Sequence, residues 1–129
     1  MTRDYTQLKI WKAAHSITVD LYKLTDEFPS SEKFGLISQI RRSSASIGMN
    51  IAEGCGQNTT ALTRRYLHIS LGSIKELEYQ ILLAKDLGFI DKETYDTLIK
   101  RIQSLGKMTS SFIFKMPQQL LSNAQRQLN

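Results

Sequence analysis

Apolar residues recur along this chain at spacings of three and four, in four blocks separated by breakers. That period keeps one face of a helix buried, whereas a half-buried strand alternates every second residue. In the first block Ile10, Ala14, Ile17, Leu21, Leu24 and Phe28 predict a helix from about Thr6 to Glu27. Leu8, Trp11 and Tyr22 widen its stripe, so this helix should touch more than one neighbour. Pro29 ends it, because the residue before a proline is pushed out of the α region. Ser30 or Ser31 then caps a second helix, with Glu32 placed where the helix dipole favours a carboxylate. Its stripe is Ile37, Ile40, Ser44, Ile47 and Ile51, and a left-handed glycine at Gly54-Cys55-Gly56 should close it.

A third helix follows the Gln57–Thr60 loop and cap, with Leu62, Tyr66, Ile69, Ser73, Leu77, Ile81 and Ala84 on one face. Gly88 closes it and Asp91 caps the fourth. There Tyr95, Leu98, Ile102, Leu105, Thr109, Phe112 and Met116 sustain an a/d alternation. Short connections make sequential helices antiparallel. The expected fold is all-α, an antiparallel up-down-up-down four-helix bundle over residues 1–116. Residues 117–129 are polar and Gln-rich, and read as a frayed or disordered tail.

Composition agrees with that fold. Only two prolines and seven glycines occur in 129 residues, too few turn formers for a many-stranded sandwich or barrel. No apolar run is long enough to span a membrane, no secretory signal is visible, and Cys55 is the only cysteine. The expected setting is therefore cytoplasmic, without disulfides.

Catalytic chemistry is missing. Neither His15 nor His68 stands in the Glu-x-x-His arrangement of bundle metal sites. Helical ribonucleases that put four to six residues between an Arg and a His are not matched, because only three residues separate Arg64 from His68. Cys55 has no nearby histidine to activate it. We expect no enzyme activity, no metal and no cofactor.

Two features remain. Arg42, Ser46, Asn50 and Glu53 form a polar stripe beside the apolar stripe of helix two, and Ser70, Ser73, Glu76 and Gln80 follow a matching period on helix three. The stripe is either a solvated face or a hydrogen-bond network between helices or subunits; Ser46, Asn50, Glu53, Ser73 and Glu76 are its candidate members. Small residues nearby (Ser43, Ser44, Ala45, Gly48) favour a close helix crossing.

The second feature is charge. Seventeen Lys and Arg against twelve Asp and Glu leave a net charge of +5, and no acid follows Asp96. Between Glu32 and Glu76 the only acid is Glu53. Arg41, Arg42, Arg64, Arg65, Lys100, Arg101 and Lys107 are thus candidate contacts to RNA or DNA phosphates. No aromatic platform interleaves with them, which predicts backbone-directed, poorly sequence-specific binding. Structural pairing of Arg41 or Arg42 with Glu53 or Glu76 is the competing expectation.

One stretch carries a resemblance. Leu36-x-x-Gln39-Ile40-Arg41-Arg42-Ser43-x-x-Ser46-Ile47-x-x-Asn50-Ile51-Ala52-Glu53-Gly54 resembles the signature of the four-helix bundle proteins encoded in intervening sequences of bacterial 23S ribosomal RNA genes. Leu8-x-x-Trp11-Lys12, Phe28-Pro29-x-x-Glu32 and Gly72-Ser73-x-x-Glu76-Leu77-Glu78 are similar to that family too, and only the segment after Pro117 falls outside the pattern. Gly48 departs from it, standing where the family often has proline. The resemblance implies homo-oligomers, typically pentamers, with no established enzymatic activity. It also implies kinship with accessory proteins of diversity-generating retroelements, basic bundles that bind nucleic acid and a reverse transcriptase. A protein-interaction scaffold or such an accessory role is the alternative function, with the protein partner open.

Overall fold

The computed structural model describes residues 3–128, with side chains through Met116. Four helices form: α1 (Lys9–Thr25), α2 (Leu36–Cys55), α3 (Thr60–Asp86) and α4 (Lys92–Leu128). No strand occurs among the described residues. The expectation of a frayed tail at 117–129 concerns residues whose side chains lie outside this description.

Contacts between the helices run in opposite directions along each adjacent pair. Residues 18 and 25 of α1 bond to 44 and 41 of α2. Residues 43, 46 and 47 of α2 bond to 76, 73 and 70 of α3. Lys85 of α3 sits over the Tyr95 ring of α4, and Arg101 of α4 reaches back to Asp20 of α1. Each helix packs on its chain neighbours and α1 also packs on α4, which closes an up-down-up-down bundle.

The core follows the predicted stripes along most of their length. Ala14, Leu21, Ile40, Ile47, Ile51, Leu77, Ile81 and Ile102 are wholly buried. Three stripes shift where the exact helical period departs from the spacing read off the sequence. On α1, Thr25 is buried and Leu24 only half-buried. On α3, Leu62 and Ile69 face outward while Leu67, Ser70 and Ile74 are buried. Ser70 displaces Ile69 because its small side chain permits a close crossing, where its hydroxyl donates to the Ile47 carbonyl at 2.9 Å. On α4, Ile113 takes the core position expected for Phe112.

Helix ends show the larger departures. The chain enters through a 3-10 turn, Tyr5–Gln7, capped by Asp4, so α1 starts at Lys9 rather than Thr6. Ser30 and Ser31 lie in another 3-10 turn after Pro29, and α2 begins only after Gly35. Glu32 still serves that end: its Oε1 accepts from the Leu36 N–H at 3.2 Å. The left-handed cap expected after α2 is absent, since Gly56 has φ −87°. Gly88, at φ 81°, is where the left-handed turn occurs, with Gly88 N–H on Lys85 O and Phe89 N–H on Ala84 O. That pair of bonds satisfies the last carbonyls of α3. Thr59 and Asp91 cap α3 and α4 through their side-chain oxygens.

Candidate nucleic-acid interface

The polar stripe of α2 meets that of α3. Ser43 Oγ donates to Glu76 Oε1 at 2.8 Å and accepts from Gln80 Nε2 at 3.0 Å. Arg42 Nη2 donates to the other Glu76 oxygen at 3.1 Å. One turn along, the Ser46 and Ser73 hydroxyls pair at 3.0 Å. Asn50 stays within its own helix, donating to the carbonyl and hydroxyl of Ser46. Glu53 is exposed, and its carboxylate takes no part in the seam among the described residues. Ser43, Ser70 and Gln80 are the buried centre of the seam. Ser70 and Gln80 belong to the stripe read on helix three and Ser43 to the small residues expected at a close crossing; their phase with Ile40, Ile47, Leu77 and Ile81 is the signal that places them inside.

Ser43 and the Arg42 guanidinium hold the Glu76 carboxyl below its usual range. With the lower pKa in the folded state, the unfolded chain takes up the proton first. The carboxylate's contribution is therefore complete above the ordinary glutamate range and lost as pH falls through the folded value. Glu76 is half-exposed, which keeps the contribution small. A Glu76→Gln variant is expected to be less stable by about 1 kcal/mol at neutral pH. Urea unfolding should show that gap closing below about pH 4. A gap of constant size down to strong acid would contradict the pairing.

The seven basic candidates divide by partner. Arg41 donates to Thr25 Oγ1, the Tyr22 carbonyl and Asp26 Oδ1, at 2.9, 3.1 and 2.8 Å. Arg42 is held by Glu76, and Arg101 by Asp20 at 2.8 Å and Ser16 at 3.2 Å. These three guanidiniums tie helix to helix. Of the two pairings expected for Arg41 and Arg42, Arg42 with Glu76 forms; Arg41 turns instead to Asp26.

Arg64, Arg65, Lys100 and Lys107 pair with no carboxylate among the described residues. Arg64 is half-buried, with its Nε enclosed and lacking a hydrogen-bond partner among them. Arg65, Lys100 and Lys107 are exposed. Lys100 and Lys107 stand seven residues apart on α4, two turns along one outward stripe.

Lys107 also borders a groove of about 820 Å³ between α3 and α4, whose walls include His68, Lys75, Gln103 and Ser110. Leu71 and Ile74 supply its apolar surface. Seven residues beyond Lys107 the same stripe carries Phe114, 68% exposed. No ring stands between the basic candidates on this stripe, but an exposed aromatic ring follows the last of them, and the heptad spacing from Lys107 is its signal.

Cys55 is buried, and that burial pushes its thiol pKa up, away from nucleophilic use. His15 stacks on Trp11 at 4.8 Å between ring centroids. No cluster of three His, Cys, Asp or Glu is arranged to hold a metal among the described residues. No described helix is long and apolar enough to cross a membrane.

The family model for 23S rRNA-intervening sequence proteins matches residues 6–111. The chain belongs to that family. Among solved structures, a protein of unknown function from the S23 ribosomal protein family of Bacteroides thetaiotaomicron is similar, with 26% identity and a TM-score of 0.73. The likeness covers 81% of this chain and 97% of that one. No curated protein sequence matches this member of the 23S rRNA-intervening sequence family. Within the family match fall both the α2–α3 seam and the Lys100 and Lys107 stripe, whereas Phe114 lies beyond it.

Proposed function

We propose that this protein is a cytoplasmic, non-enzymatic homo-oligomer, a pentamer of four-helix bundles, that binds nucleic-acid backbone through basic patches repeated in every subunit. The observation that carries the reading is the division among the cations. Arg41, Arg42 and Arg101 are neutralised by carboxylates, while Arg65, Lys100 and Lys107 are exposed and unpaired among the described residues. Unpaired surface cations cost solvation nothing and remain free to replace the counterions of a phosphate chain. Repetition around a ring lets weak contacts add.

Association is supported by a separate set of residues. Met49, Leu62 and Ile69 are exposed at 67%, 41% and 44% on the outer sides of α2 and α3. One bundle has no second use for apolar groups there; a neighbouring subunit does. The same residues favour the second reading, a protein-interaction scaffold or retroelement accessory protein that binds a reverse transcriptase.

Two measurements test the proposal. Light scattering at micromolar concentration should report five times 14.7 kDa, and a monomer would overturn the oligomer. Labelled RNA and DNA titrated at about 50 and 200 mM salt should show affinity falling by about three orders of magnitude if some six phosphates are contacted. A Lys100→Glu, Lys107→Glu variant should lose most of that affinity while keeping its thermal midpoint. Absence of binding at the lower salt, or full binding by the variant, would overturn the nucleic-acid role.

A further inference from the structure

The groove between α3 and α4 is built by glycines. A Cβ at Gly72 would meet nothing within 4 Å, so the helix backbone there faces open space. At Gly106 a Cβ would lie 3.5 Å from Ile74 Cγ2, which lets the two helices sit close beneath the opening. The resulting volume of about 820 Å³ lies in the range of sites that hold small organic groups, about 300–1,000 Å³. Lys75 on α3 and Lys107 on α4 give the groove cations from both helices. Lys75 also reaches Glu78, a half-buried carboxylate that lines the same groove, at 3.4 Å, while the Lys75 side chain itself is 74% exposed and stays open to a phosphate. Flat rings complete the surface: His68 lines the groove, and Phe114 stands exposed two turns beyond Lys107.

We propose that this groove binds single-stranded nucleic acid, with phosphates on Lys75 and Lys107 and unpaired bases stacked on His68 and Phe114. The inference rests on the nucleic-acid reading above and narrows it to a strand class. Cations alone accept a duplex and a single strand alike, since both present phosphates. Aromatic faces discriminate, because only an unpaired base can leave its neighbours and stack on a protein ring. Apolar surface between one lysine on each helix, and an aromatic ring held in water at 68% exposure, fit that ligand and have no use against a duplex backbone.

The experiment uses the full chain and three labelled probes of about 16 nucleotides, an oligouridine RNA, an oligothymidine DNA and a mixed-sequence DNA duplex, by fluorescence anisotropy at low salt. Both single strands should bind at least about tenfold more tightly than the duplex. Phe114→Ala should cost the single strands about tenfold, with Phe114→Tyr restoring it. Gly72→Leu, which fills the groove without changing charge, should weaken single strands in the same way. Circular dichroism melts identify any variant that fails to fold, and Phe114 is exposed enough for its replacement to be silent there. Equal binding of duplex and single strands, or single-strand affinity indifferent to Phe114→Ala, would overturn this inference and leave the backbone reading standing. No binding of any probe would overturn both.

Discussion

A Gly54→Val variant is expected to lose about 3 kcal/mol of stability, whereas Gly54→Ala should stay within about 1 kcal/mol of the wild type. Gly54 lies in α2 where the helix meets the first turns of α3. A Cβ built there falls 3.2 Å from Tyr66 Cβ and 3.3 Å from the Thr63 carbonyl oxygen. Both contacts are tighter than ordinary packing, and neither neighbour is the free end of a flexible chain. Thr63 also donates its hydroxyl to the Gly54 carbonyl at 2.8 Å, so separation of the helices breaks a hydrogen bond as well. Alanine gains about 1 kcal/mol of helix propensity over glycine, which offsets a shift of a few tenths of an ångström. Valine adds two methyl groups with nowhere to go; overpacking costs about 1–3 kcal/mol and the lost bond about 1 more. Urea unfolding of both variants measures the difference. If valine were tolerated as well as alanine, the close crossing would be wrong.

That crossing shows how far the sequence could be read and where it stopped. Periodicity placed Ile40, Ile47, Ile51, Leu77 and Ile102 in the core because an apolar residue at helical phase has one place to go. Small residues around Gly48 predict close helices, and α2 and α3 do come close there, but a tight approach lies also at Gly54, in the stretch that the pattern assigned to a left-handed cap. Glycine serves both purposes, and only φ and the neighbour distances separate them. The polar seam was legible through Ser46, Ser73 and Glu76, whose spacing matched on two helices. Ser70 and Gln80 share that period; which members of the seam are buried was harder to read, because a buried hydroxyl or amide looks like a surface residue until its partner is known. Charge was the least legible property. A count of cations does not reveal which ones have a carboxylate across the bundle, as Arg101 has in Asp20, 81 residues away in sequence.

Arg41 and Lys107 should therefore separate cleanly when each is altered. Arg41→Ala is expected to cost about 2 kcal/mol of stability and leave nucleic-acid affinity unchanged. Its guanidinium donates to the buried Thr25 hydroxyl, the Tyr22 carbonyl and Asp26, and lies over the Tyr22 ring at 5.0 Å. Asp26 is the C-terminal cap of α1, where a carboxylate opposes the helix dipole. Arg41 neutralises that charge and occupies a carbonyl of the last turn, so its removal exposes both penalties at once. Arg41→Lys should recover only part of the loss, because a single ammonium cannot reach three acceptors in a fixed fork. Lys107→Glu should do the reverse, with an unchanged melting temperature and weakened binding of RNA or DNA at low salt. Its ammonium anchors no neighbouring carboxylate among the described residues, so nothing in the bundle depends on it. Melting curves and anisotropy titrations on the same two proteins decide the matter. Loss of nucleic-acid affinity in a folded Arg41→Ala protein would return Arg41 to the binding surface and break the division between structural and free cations.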